Sequence, residues 1–222
     1  MVHARAEVAA PVSHVRSSGS TPSLSERLWK ISWETELPEE IDGISIEIGS
    51  FEDAYPFVAE HWQPIFGDGA ERFLVEELTE AKRRFWEEMD VFVFRADGRI
   101  AGIAAGHPTD WSTYYMRTLA LLPEYRERRF ATAFSEEMKR VLRAAGVTRL
   151  EAECSVANVA MHRLFVSQGF LVGSMLASER WGVMLRFTKY LDEEAESVFR
   201  RQFVSVPTYG NRDGHQPQRR KP

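Results

Sequence analysis

The stretch that most constrains this chain runs from residue 114 to residue 134 and reads YYMRTLALLPEYRERRFATAF. It joins an apolar run, a proline and a basic turn to a segment whose apolar residues recur at helical spacing. A strand that stops at Pro123, followed closely by a helix, leaves the first helical amides without partners inside the helix. Those amides, with the helix dipole, favour negative charge. Arg126, Arg128 and Arg129 crowd that end, and residues 117 to 149 carry eight Lys/Arg against four acids, in a chain whose net charge is −5. Local positive charge in an acidic protein points to a discrete anionic ligand such as a phosphate group, more than to a general affinity for nucleic acid. A basic helix face that is merely solvated is the other reading of the same residues.

Around this stretch the chain alternates strand and helix. Residues 44–48, ISIEI, alternate like a first strand. Ser50 is placed to cap a helix carrying Ala54, Val58, Trp62, Ile65 and Phe66 on one face, and a second helix after Gly69 presents Leu74, Leu78, Ala81, Phe85 and Met89. Asp97-Gly98 between two strand-like runs is a tight-hairpin signal, because the pair suits positive φ. A third strand over about 113–121 continues the meander. The helix after the basic turn is expected to bury Phe130, Phe134, Met138, Val141, Leu142 and Ala145 and to end at Gly146. A strand over 150–154 then forms a parallel pair by crossover. A short helix over 158–168, a strand pair over 170–175 and 182–190, and an amphipathic helix over 192–203 complete the pattern.

The expected organisation is a mostly disordered extension over 1–40, a domain over 41–191, the helix over 192–204 and a disordered tail over 205–222. Within the extension a short helix is possible around residues 24–31, and Trp29 and Trp33 require a docking place on the domain or on a partner. Cys154 is the only cysteine, which excludes an intramolecular disulfide and fits a reducing, cytoplasmic setting; its expected role is a small buried hydrophobe. No apolar run approaches the roughly eighteen residues that span a bilayer, and the N-terminus lacks a secretory signal. A Walker loop, a G-x-S-x-G elbow, H-E-x-x-H and paired Cys-x-x-Cys are all missing from the sequence. No metal is therefore expected, and neither a membrane nor a nucleic-acid partner.

The segment LALLPEYRERRFATAF resembles the cofactor loop of the GNAT superfamily of acyl-CoA-dependent N-acetyltransferases, a strand and Pro-containing turn followed by R-x-x-G-x-G/A. The pattern falls on Arg126, Glu127, Arg128, Arg129, Phe130 and Ala131, with Arg129 at the first glycine. Downstream, NVAMHRLFVSQGF is similar to the family's N-x-x-A-x-x-L-Y-x-x-x-G-F, with Phe165 where Tyr is usual and Met161 where Ala is. The resemblance covers about residues 44–190. It implies the α/β GNAT fold: a mixed, mostly antiparallel central sheet with helices on both faces, splayed near Leu121. It also implies acetyl-CoA as acyl donor, held by Leu119, Ala120, Leu121, Arg126, Glu127, Arg128, Arg129, Phe130, Ala131, Thr132, Asn158 and Phe165. The acceptor would be a small-molecule or peptide amine, and the protein a monomer or homodimer.

Two side-chain roles stand vacant under this reading. The family's frequent glutamate base falls on Tyr115, a poor base at neutral pH, and Phe165 has no proton to give a departing thiolate. Tyr115 and Asp110 are the catalytic candidates, with His107, Glu151 and Glu153 as further substitutes acting directly or through water. Trp111, Tyr114 and Tyr115 either line an aromatic acceptor pocket or are core and rim residues. A GNAT-fold protein that binds acyl-CoA or another ligand with little or no catalysis, as a sensor or interaction domain, stays open as an alternative to the enzyme.

Overall fold

A computed structural model describes residues 22–66, 79–178 and 181–201. Its strands are β1 (Glu40–Ile41), β2 (Ile44–Ile48), β3 (Asp90–Ala96), β4 (Arg99–Pro108), β5 (Thr113–Leu121), β6 (Arg149–Ser155), β7 (Leu171–Ser178) and β8 (Gly182–Tyr190). They form one sheet in the order β1-β2-β3-β4-β5-β6-β8-β7, antiparallel throughout except for the parallel pair β5–β6. Asp97 and Gly98 both take positive φ, 51° and 74°, and close the β3–β4 hairpin as their chemistry predicts.

The helices are α1 (Leu24–Trp29), α2 (Trp33–Glu36), α3 (Phe51–Glu60), α4 (Trp62–Phe66), α5 (Glu80–Glu87), α6 (Phe130–Ala144), α7 (Val159–Ser167) and α8 (Glu193–Phe199). Helix α6 is the expected one. Its Phe130, Phe134, Met138, Val141 and Leu142 are buried, Ala145 is its C-cap and only partly buried, and Gly146 follows its end at φ 82°. Each such side chain contributes about 1.5–3 kcal/mol by leaving water. Phe94 of β3 meets Phe130 and Phe134 edge-on at 4.7 and 4.9 Å between ring centres, which locks α6 to the sheet.

Two expectations change. The single helix predicted from Ser50 is two, because α3 stops at Glu60 and α4 starts at Trp62; Asp53 accepts the N–H and hydroxyl of Ser50 at its start. Of the second helix, the described part is α5, which starts at Glu80 behind its cap Thr79, whose side chain accepts from the Lys82 N–H. Leu74 and Leu78 lie outside the described residues. Phe85 is exposed on α5, and Met89 is buried beyond its end.

The segment from residue 22 to 39, assigned above to an extension, packs as part of the domain. Ile31, Trp33 and Leu37 are buried, with Trp33 edge-on to Phe92 at 5.2 Å. The reason is a buried acid. Asp90 opens β3 and accepts Ser23 Oγ at 2.5 Å, Ser25 Oγ at 2.7 Å and Trp33 Nε1 at 2.8 Å. An ionised carboxylate is costly inside a protein unless donors surround it, and this segment supplies them. Residues 1–21 and 202–222 lie outside the described residues.

Candidate functional site

The parallel pair of β5 and β6 is short. Thr113, Tyr114, Tyr115 and Met116 pair with Arg149, Leu150, Glu151 and Ala152, and there the pairing stops, although β5 runs on to Leu121 and β6 to Ser155. At that point Gly106 of β4 faces Met116 while Ala105 faces Thr118, so Arg117 is the extra residue of a bulge. A bulge bends its strand and sharpens its twist, while β6 stays in register with β8 through Glu153, Cys154 and Ser155. The two strands therefore part. The Leu122 N–H donates to Ala101 O; since antiparallel bonding alternates, the N–H and C=O groups of Leu119 and Leu121 point into the opening, and those of Ala120 point to β4.

From this opening the chain enters a 3₁₀ turn, Pro123–Tyr125, and then α6. The arginines of the turn divide their work. Arg126 donates from Nε to Leu121 O at 2.9 Å and from Nη2 to Pro64 O at 2.8 Å, so it holds the turn in place. Arg128 lies over the buried Tyr125 ring at 5.3 Å, and the Arg99 Nε donates to that tyrosine's hydroxyl. Glu127 and Arg129 both adopt left-handed backbone, φ 63° and 62°. Arg129 thus keeps the conformation that glycine takes freely, at a strain of about 1–2 kcal/mol, and its side chain is exposed. It precedes α6 without a side-chain cap, and the first turn holds no acid. The amides of Phe130, Ala131 and Thr132 therefore end the helix unpartnered within it, at its positive pole.

On one face of the sheet, beside the opening, a polar cluster gathers from four strands. Tyr115 donates from its hydroxyl to Glu153 at 3.3 Å, and Arg186 donates to the same carboxylate from Nε and Nη2 at 2.8 and 2.6 Å. Burial, with the Glu153 charge adding to it, pushes the Tyr115 hydroxyl up to about 12. His107 pairs with Tyr115 across β4 and β5, with rings 5.6 Å apart, and Phe85 meets it from α5 at 5.4 Å. Its Nδ1 lies 2.9 Å from Pro108 O. That carbonyl only accepts, so Nδ1 carries the hydrogen and Nε2 the lone pair. Burial pulls the imidazole below its ordinary range, and Arg117 adds to the effect. His107 is neutral at pH 7.

The other candidates are placed differently. Asp110 is the staple of the β4–β5 turn: it accepts the Ser112 N–H at 2.8 Å, the Thr113 hydroxyl at 2.9 Å and Arg149 Nη2 at 3.3 Å. Burial alone would raise its carboxyl, but the Ser112 N–H and the neighbouring hydroxyls outweigh that and hold it below its ordinary range, which suits a structural anchor and not a base. Trp111 is 82% exposed and Tyr114 fully buried, so the three aromatics do not share a pocket; Tyr115 alone of them faces the cluster. Asn158 caps α7 by accepting the Met161 N–H. Phe165 is buried against Phe170 and Phe187, ring centres 5.1 and 4.9 Å away. Cys154 is buried, its thiol pushed up to about 11 by that burial.

Sequence reasoning missed Arg117 and Arg186: the two-residue alternation of a strand puts Arg117 on the face of Tyr115 and was the signal that could have found it, whereas only the β6–β8 register brings Arg186 there. Among the described residues, no three His, Cys, Asp or Glu gather where they could hold a metal ion, and no helix is long and apolar enough to cross a membrane.

Solved structures similar in fold include the yncA protein of Salmonella typhimurium with its cofactor acetyl-CoA (TM-score 0.53, 17% identity, 68% of this chain and 96% of that one). An N-acetyltransferase from Staphylococcus aureus Mu50 is alike to the same degree (0.53, 17%, 67% and 99%). So is the ribosomal-protein-S18-alanine N-acetyltransferase from Escherichia coli (0.52, 17%, 67% and 94%). At these identities the likeness is one of fold. No curated protein matches the chain in sequence. The family model for the acetyltransferase (GNAT) family matches residues 54–170, more than half of the chain and the whole of the opened strand, turn and helix, so the chain belongs to the acetyltransferase (GNAT) family.

Proposed function

We propose that this protein is an N-acetyltransferase that carries an acetyl group from acetyl-CoA to an amine by direct attack. The observation that carries this reading is the release of β5 from β6 after Met116, immediately before the strand feeds the uncapped start of α6. An anionic, extended donor fits that arrangement. The amides of Phe130, Ala131 and Thr132 would hold its pyrophosphate, and the backbone of Leu119 with the Leu121 N–H would pair with the chain that follows, the Leu121 carbonyl being taken by Arg126. Acetyl-CoA supplies a thioester-activated acetyl group. The Leu119 N–H, aimed into the opening, is placed to polarise a carbonyl there.

His107 takes the amine's proton. It is neutral, its free Nε2 has no hydrogen-bond partner among the described residues, and Pro108 fixes its tautomer. Tyr115 stays protonated and donates to Glu153, which orders the floor beside it. Phe165, buried, leaves the departing thiolate to water. A lone buried cysteine suits a cytoplasmic setting.

The test is acetyl-CoA binding by calorimetry and thiol release with a panel of amines, for wild type and Ala131→Glu. Glutamate at this helix start adds bulk and like charge where a phosphate sits, a cost of about 1–4 kcal/mol, or roughly a ten- to thousand-fold loss of affinity. The fold is expected to survive, since an acid in a first helical turn complements the dipole. Unchanged affinity would remove the loop from the binding site. Thiol release is expected to fall as His107 protonates, with a midpoint below the ordinary histidine value, and His107→Gln should abolish that limb. Binding of acetyl-CoA without thiol release for any amine would favour an acyl-CoA sensor, the reading that the lack of a carboxylate at Tyr115 supports.

A further inference from the structure

Most charges on the cluster's face cancel. Glu153 is bound by Arg186, and Glu151 lies 3.3 Å from Arg149 and 3.7 Å from Arg186. Arg117 differs. It is exposed and makes no ion pair among the described residues; its guanidinium carbon lies 5.7 Å from the Phe85 ring centre and 6.0 Å from that of Trp86. A cation laid over two aromatic rings is held in position by their faces, yet none of its five N–H donors has a partner among the described residues. As the extra residue of the β5 bulge it stands where pairing with β6 ends, at the mouth of the opening. Tyr115 is two residues away, about 6.6 Å along the strand, with His107 beside it. One small molecule spans that distance.

We propose that Arg117 selects the acceptor: the cleft takes an amine that also bears a carboxylate, bound by the Arg117 guanidinium while the amine faces His107 and Tyr115. This rests on the acetyl-transfer reading above. Planar guanidinium and carboxylate match in a two-pronged bond that an amide cannot make with the same strength. A zwitterion, with no net charge, also suits this face better than a doubly charged phosphate, because Glu151 and Glu153 are already matched by Arg149 and Arg186. Free amino acids are the simplest members of this class.

The experiment compares free L-amino acids with the same compounds as α-carboxamides, by thiol release from acetyl-CoA and by calorimetric binding of the corresponding N-acetyl products, which needs no turnover. Wild type is expected to favour the acids by about ten- to hundred-fold in kcat/KM for the best pair. Arg117→Gln should bring that ratio close to one, and Arg117→Lys, keeping charge without the planar fork, should retain part of it. A ratio within one variant does not depend on how much of it is folded. If wild type binds acetyl-CoA but treats acid and amide alike, or if Arg117→Gln lowers both equally, the assignment of Arg117 is overturned and acetyl transfer stands. If wild type neither binds acetyl-CoA nor releases thiol with any amine, acetyl transfer fails and this inference falls with it.

Discussion

Tyr114 and Tyr115 are neighbours on one strand, and strand geometry sends their side chains to opposite faces. On the first face everything is closed. Tyr114 is completely buried beside Asp90, whose carboxylate takes its donors from Ser23, Ser25 and Trp33 of the docked N-terminal segment. The Tyr114 hydroxyl, close enough for the two groups to raise and lower one another's proton affinity, still makes no hydrogen bond of normal geometry. On the second face Tyr115 is half-buried and bonded to Glu153, and beside it His107 Nε2 and the Arg117 guanidinium have no hydrogen-bond or ion-pair partner among the described residues. A buried carboxylate surrounded by its donors holds the chain together; directed groups left unmatched on an open face are ready for a ligand.

The sharpest way to break this contrast is Trp33→Ala. It removes a buried indole and one donor to Asp90, and should cost about 3–5 kcal/mol in denaturant unfolding, while acetyl-CoA affinity of the folded variant stays near wild type. A loss below about 1 kcal/mol would mean that the segment is not part of the domain.

Acidity comes next. Burial raises the Asp90 carboxyl from the ordinary 3.8 to about 6, against the pull of its donors. An acid whose folded pKa is raised favours the folded state fully below the unfolded value, and that favour is lost as pH rises through the folded one. Between pH 3.8 and 6 wild type should therefore lose about 3 kcal/mol relative to Asp90→Asn. Parallel stability profiles for the two proteins would place Asp90 in contact with water.

Phe165→Tyr separates core from cleft. A hydroxyl set among Phe170 and Phe187 should destabilise by about 1–3 kcal/mol and leave turnover no higher. Raised turnover at unchanged stability would put position 165 on the cleft. The smallest effect is expected for Arg129→Gly. Relief of left-handed strain exceeds the added freedom of the unfolded chain by roughly 0.5 kcal/mol, a slight rise in melting temperature; a loss of stability would show that the arginine side chain holds the turn.

Legibility follows sequence distance. The β3–β4 hairpin, the strand ending at Pro123 and the buried stripe of α6 were all readable, because turn chemistry, a helix-breaking residue and 3.6-residue spacing are local signals. So was the chemical character of the basic turn. Its division of labour was not, since Arg126 reaches back to Pro64 O across the fold. The docking of Trp33 was half legible: two tryptophans demanded a surface, but nothing near residue 33 names Asp90.

What the sequence determined by itself is the order of elements and the anion-ready junction between β5 and α6, since each depends on residues within a few turns of one another. What the tertiary structure alone decided is which side chains face each other. His107, Tyr115, Glu153 and Arg186 come from four strands, and Tyr115 meets Glu153 across 38 positions of chain. Strand register assembles them, and a shift of one residue would send each to the opposite face. That register is set by the packing of the whole sheet and by the bulge at Arg117, so no local pattern could have announced it.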